Sequence, residues 1–175
     1  MFPVESLRSK RVADIEPGHL VKISVYPAPR YAIRITTNDI NGAKGGPALL
    51  VLNPQVNGQQ HPPLVYVTND YCVDLGKPTI VWNPLDSEHS APEHTLPIGT
   101  LTVRPDCVAI TGHFGPPFAG FTQHWNIADG GPVPAPEQNQ AAYIARWELG
   151  ITNADGDFQA LEIFPPPPMQ PKTSP

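Results

Sequence analysis

The sequence predicts an all-β fold, an antiparallel sandwich or barrel of about ten short strands. Two observations support this prediction: apolar and polar residues alternate over many brief segments, and turn-forming residues separate those segments. Helical periodicity is scarce. At 175 residues the length favours one domain. We expect this β domain over residues 19–164, with an extended N-terminal arm at 1–18 and a proline-rich tail at 165–175.

The first predicted strands follow from the spacing of apolar residues. Residues 6–15 could form one or two helical turns that end at Pro17-Gly18. In residues 21–25 and 31–37, apolar and polar residues then alternate with a period of two, which is typical of strands with one solvent-exposed face. Residues 48–52 are apolar throughout, so we expect a strand that is covered on both faces.

The second half of the domain continues the pattern of short strands. Strands are predicted at residues 64–68, 71–75, 79–82, 98–103 and 107–114. A hairpin formed by 142–152 and 158–164 closes the domain, because the Asp-Gly pair between them supplies a tight turn. Residues 142–149 could instead form a short helix, but we favour the strand.

Composition and charge exclude several classes of partner. The formal net charge is -5 and 15% of residues are charged, so the chain has no general attraction for nucleic acid. We expect neither a nucleic-acid nor a membrane partner. The first residues lack a charged segment followed by an apolar one, which predicts a cytoplasmic protein or one built into an assembly there. Cys72 and Cys107 lie in apolar runs, where buried thiols are expected and a disulfide stays open.

Four histidines form the candidate metal site. His89 and His94 stand in tandem pentapeptides at 88–97, where carboxylates accompany the imidazoles and suit zinc, iron or manganese. Prolines keep this segment extended, which separates the two histidines by roughly 15 Å. One of them could still join His113 and His124 around a divalent metal. The simpler interpretation is a solvated loop, so no cofactor is predicted.

Aromatic and proline residues form the candidate interaction site. Residues 115–140 are the longest irregular stretch, and loops of this length are usually functional or ordered by a partner. Exposed aromatic residues on such a loop suit docking onto a protein surface. The tail prolines form a polyproline segment that cannot pair in a sheet. The candidate interaction residues are Phe114, Phe118, Phe121, Trp125, Pro165, Pro166, Pro167 and Pro168.

The function predicted from these features is a non-catalytic structural or protein-interaction subunit of a larger assembly. A phage or virion coat, tail or decoration protein would fit, and homo-oligomers or protein partners are expected. The sequence contains neither the Gly-x-Ser-x-Gly motif of serine hydrolases nor a phosphate-binding glycine loop. Two alternatives stay open. One is a small metal-dependent β-barrel enzyme with a histidine site; the other is a small-molecule or peptide-binding domain with a groove near Trp82, Trp125 or Trp147.

Overall fold

The computed structural model describes residues 9–25, 28–38, 45–56, 59–60, 63–68, 70–83, 85, 87–88, 99–114, 122–135 and 141–164. Within these ranges the chain forms mainly short strands, and Val12–Asp14 form a 3₁₀ turn. The strands of the first half are β1 Ser9–Arg11, β2 Leu20–Val25, β3 Ala28–Thr36, β4 Pro47–Val51, β5 Gln55–Val56, β6 Gln59–Gln60, β7 Leu64–Tyr66, β8 Tyr71–Asp74 and β9 Thr79–Trp82. Those of the second half are β10 Ser87–Glu88, β11 Leu101–Val103, β12 Val108–Phe114, β13 Thr122–Asn126, β14 Pro132–Val133, β15 Ala142–Ile144, β16 Trp147–Thr152 and β17 Phe158–Phe164.

A large sheet of twelve strands forms most of the described structure. Its order is β1-β8-β2-β3-β4-β7-β12-β11-β15-β10, and β13 and β14 extend it from β12. β12 pairs with β13 along one edge, and with β11 and then β7 along the other. The β7–β12 pair is parallel, which corrects the expectation of a purely antiparallel fold. Residues 67–107 separate these two strands, so no hairpin sets their relative direction.

The large sheet curls until its two halves meet. The turn after β13 bonds to the end of β3, where the Thr36 N–H donates to the Gly130 carbonyl at 2.8 Å. The indole N–H of Trp125 donates to the Thr36 carbonyl at 3.0 Å. Trp125 is fully buried inside this curl. The all-β prediction is confirmed, with a sheet that is partly rolled.

A small sheet of three strands, β17-β16-β9, packs on the inner side of the large one. The predicted hairpin around 153–157 is confirmed as β16 and β17, and the helical alternative for 142–149 is wrong. The predicted strand at 142–152 is nevertheless two strands. β15 belongs to the large sheet, and Ala145-Arg146 carries the chain across to β16 in the small sheet.

The main core lies between the two sheets. It joins inward-facing side chains from both, and a fully buried tryptophan of the large sheet lies in it together with Trp147 of the small one. Its buried members are Leu20, Ile33, Ile35, Ala48, Leu50, Leu52, Val65, Leu101, Ile110, Phe114, Trp125, Ile127, Ile144, Trp147, Leu149, Ile151 and Phe164. Burial of this apolar surface is the principal force that holds the two sheets together.

A second, smaller core lies on the opposite face of the large sheet. It includes Leu49 and Val51 of β4, and Val12 and Ile15 cover it. Alternate residues of β4 therefore enter different cores, which confirms the prediction that residues 48–52 are covered on both faces. The segment predicted as helical turns at 6–15 contains β1 and a 3₁₀ turn where it is described, and it packs against the sheet.

Both cysteines are free thiols, Cys72 buried and Cys107 half-buried, so the open question of a disulfide is answered. No helix among the described residues is long and apolar enough to cross a membrane.

Candidate functional site

The aromatic residues predicted to form an exposed docking loop are partly in the core. Phe114 and Trp125 occupy inward-facing positions of β12 and β13, and their ring centroids lie 5.8 Å apart. Both side chains are buried, which corrects their assignment to a docking surface. Phe118, Phe121, Pro165, Pro166, Pro167 and Pro168 lie outside the described residues.

Two of the four predicted histidines share one side of the large sheet. His124 stands opposite Thr111 and His113 opposite Thr122, on the face that points away from the main core. The Nδ1 atom of His124 and the Thr111 hydroxyl form a hydrogen bond of 2.9 Å. Burial, with a smaller effect of the Arg104 charge, lowers the pKa of His124 and favours a neutral imidazole.

The predicted metal set is described only in part. His89 and His94 lie outside the described residues. Among the residues that are described, no group of three or more His, Cys, Asp or Glu side chains could hold a metal ion.

A charged cluster at one edge of the large sheet centres on Asp74, which is buried. Its carboxylate accepts hydrogen bonds from Lys10 Nζ at 2.7 Å and from the Gly76 N–H at 2.9 Å. His19 Nδ1 lies 2.9 Å from it, and His19 Nε2 lies 3.3 Å from Glu16. Burial alone would raise the pKa of Asp74, but the hydrogen bonds outweigh burial and lower it. This cluster ties β1, β8 and the start of β2 together.

A shallow groove lies beside that cluster. Arg11 places its guanidinium 5.6 Å from the ring centroid of Tyr71, and its Nε donates to the tyrosine hydroxyl at 3.1 Å. Ala13, Asp14 and Asp70 complete the lining. The aromatic ring is therefore already covered by a cation of the same chain.

The small sheet presents a largely apolar face on the side away from the main core. Val81, Glu148 and Ile163 stand opposite one another across its three strands, and Val81 and Ile163 are 44% and 50% exposed. Phe158 and Ala160 share this side, because they stand opposite Thr152 and Gly150, which alternate with the core residues of β16. We call these five residues the outer face: Val81, Glu148, Phe158, Ala160 and Ile163.

The outer face is bordered by two unpaired sheet edges. In the described part of the chain, β9 and β17 pair with β16 alone. An unpaired strand carries a row of backbone N–H and C=O groups that can bond to another strand. The small sheet thus combines exposed aliphatic side chains with free hydrogen-bonding capacity.

Sequence reasoning missed the outer face because a bulge changes the side to which residues of β17 point. With strict alternation, Ile163 would point to the same side of the sheet as Leu161 and to the other side from Phe158. Leu161 has no residue opposite it in β16, so the alternation shifts at that point. The sequence does carry a signal for this change: in residues 158–164, apolar residues occupy odd-numbered and even-numbered positions alike, instead of one set alone.

The chain matches no protein-family model, and no curated protein or solved structure is detectably similar to it.

Proposed function

We propose that this protein is a structural or protein-interaction subunit of a larger assembly, without catalysis of its own, and that it docks through the outer face. The observation that carries the proposal is the exposed aliphatic pair Val81 and Ile163 in one cross-strand row. Single exposed apolar residues are normal on protein surfaces. Two exposed aliphatic side chains on one sheet face with free edges resemble the surfaces that protein partners bury.

The charge distribution supports the same proposal. Glu148 carries the single formal charge among the five outer-face residues, and it is half-buried between Val81 and Ile163. Thr79 and Thr152 border the face, and their hydroxyls are 2.7 Å apart. The other four residues of the outer face are uncharged, and the two threonine hydroxyls supply polar groups at one end of it, as at the rim of an interface.

The proposal is tested by sedimentation of native cell extracts in which a variant replaces the natural chain. The double variant Val81→Ser/Ile163→Ser removes the exposed aliphatic pair without touching a core residue. We expect the natural chain to sediment in a complex larger than 19.0 kDa and the double variant to move to the free fraction.

The matched control is Val67→Ser, because Val67 is more exposed than either residue yet lies outside the small sheet. It should stay in the complex. Circular dichroism confirms that each variant is folded. A natural chain that sediments alone, or a double variant that stays in the complex, would contradict the proposal.

A further inference from the structure

Strand β17 is the longer of the two free edges of the small sheet. It has seven residues, whereas β9 has four and directly follows Pro78. Gln159, Ala160 and Ile163 are all exposed. A partner strand could therefore approach this edge directly.

The hydrogen-bond pattern shows which backbone groups point outward from β17. At the turn, the Asn153 N–H donates to the Asp157 carbonyl at 3.0 Å. Residue pairs of an antiparallel ladder alternate between bonded and non-bonded, so Ile151 and Gln159 form a bonded pair and Gly150 and Ala160 do not. The N–H and C=O of Ala160 consequently point away from β16, towards the free edge.

The side chains of β17 are compatible with a second copy of the same strand. Its one charged residue, Glu162, accepts a hydrogen bond from Asn53, which lies just after β4. The outward-facing residues Phe158, Ala160 and Ile163 carry no charge. Two β17 strands side by side would therefore place no like charges opposite one another on this face.

We propose that β17 pairs antiparallel with β17 of a second copy of this chain, about a two-fold axis near Gln159. Such an interface is self-complementary, because each copy offers the same donors and acceptors to the other. Phe158 of each copy then lies opposite Ala160 of the other, so the regular stretch Phe158–Ala160, which precedes the bulge, supplies the central hydrogen bonds. The two small sheets become one six-stranded sheet, and their outer faces become continuous. This inference rests on the proposed function and names one partner for that site.

Amide hydrogen exchange on the full-length chain tests the pairing directly. Among the described residues, the ladder pattern leaves the Ala160 N–H of a single copy without a partner in β16, whereas the Gln159 N–H bonds to β16 in either state and serves as the internal control. We expect exchange at Ala160 to slow about tenfold or more between dilute and concentrated protein, while exchange at Gln159 stays constant. Equal exchange of Ala160 at both concentrations overturns the pairing.

Variants at Ala160 provide the second test. Ala160→Pro removes the outward N–H without removing a bond to β16, and Ala160→Thr retains that N–H. By light scattering we expect twice the 19.0 kDa chain mass for the natural chain and for Ala160→Thr, and 19.0 kDa for Ala160→Pro. A natural chain that remains a monomer at its highest soluble concentration overturns the inference.

The two proposals can fail separately. A dimer with unchanged exchange at Ala160 overturns the β17 pairing and leaves docking through the outer face intact. A dimer that forms through β17, combined with a Val81→Ser/Ile163→Ser variant that stays in the large complex, contradicts the outer face as the docking site and supports the pairing.

Discussion

Gly99 lies where a strained backbone and an aromatic stack meet. Its φ of +76° is in the left-handed region, and a Cβ there would lie 2.6 Å from Cδ1 of Phe164. Phe164 stacks on Trp147 with ring centroids 4.0 Å apart, and the Trp147 indole N–H donates to the Gly99 carbonyl at 2.7 Å. Glycine is thus required twice, for its conformation and for its missing side chain.

We predict that Gly99→Ala lowers the free energy of unfolding by about 2–4 kcal/mol, because the left-handed backbone and the displaced ring both contribute. Gly156→Ala is the matched control: its φ is +89°, but a Cβ there meets open space. It should cost about 1–2 kcal/mol. Urea unfolding measures both values, and equal losses would show that the ring contact has no effect.

Residue type alone does not decide whether a tryptophan lines a binding groove or lies in the core. Trp125 and Trp147 were candidates for lining a binding groove, and both are core residues whose indole N–H groups bond to backbone carbonyls. A tryptophan suits a binding surface or a core equally well, since it combines a large apolar ring with one donor. The packing of distant strands decides between them.

At the scale of elements, the side chain of Asp74 reinforces the backbone pairing of β1 with β8 at the sheet edge. The strand has three residues, all exposed, so its own apolar burial is small. Lys10 of β1 donates to Asp74, which also bonds to the backbone just after β8 and lies beside His19. This carboxylate should therefore control whether the N-terminal segment stays paired.

Asp74→Asn should lower the free energy of unfolding at pH 7 by about 2 kcal/mol, because hydrogen bonds to a charged group are lost. The pKa of Asp74 is lowered from its ordinary 3.8. Its stabilising effect is therefore complete above that value and is lost as the pH falls through the lower pKa of the folded state. The natural chain should lose more stability than the variant between pH 7 and pH 3.

Chemical unfolding at the two pH values measures this difference. Asp106→Asn is the control, because Asp106 is an exposed residue whose pair with Arg104, at 3.3 Å, contributes little. An Asp74→Asn variant with the same pH dependence as the natural chain would show that the cluster does not act as described.

For the whole molecule, the large sheet separates two cores that share β4. Leu49 enters the smaller core with Val12, whereas Leu149 belongs to the main core between the sheets. Side chains within one core should influence each other's packing, and side chains on opposite faces of the sheet should act independently.

A double-mutant cycle tests this two-core arrangement. Val12→Ala, Leu49→Ala and Leu149→Ala should each destabilise by about 1–5 kcal/mol. Val12→Ala with Leu49→Ala should show a coupling above about 0.5 kcal/mol, whereas Val12→Ala with Leu149→Ala should be additive within that margin. Urea unfolding of the singles and doubles supplies the values. Equal coupling in both pairs would contradict separate cores.

The sequence by itself determined the all-β class, the hairpin of β16 and β17 and the two-sided burial of β4. These features depend on local properties, because apolar spacing and turn residues act within a few positions. Only the tertiary structure decided the parallel pairing of β7 with β12, the division of 142–152 between two sheets and the burial of Phe114 and Trp125. It also decided the outer face, since the bulge at Leu161 turns Ile163 outward. These features depend on how elements distant in sequence pack and on one irregularity in β17, and regular local alternation carries no information about either.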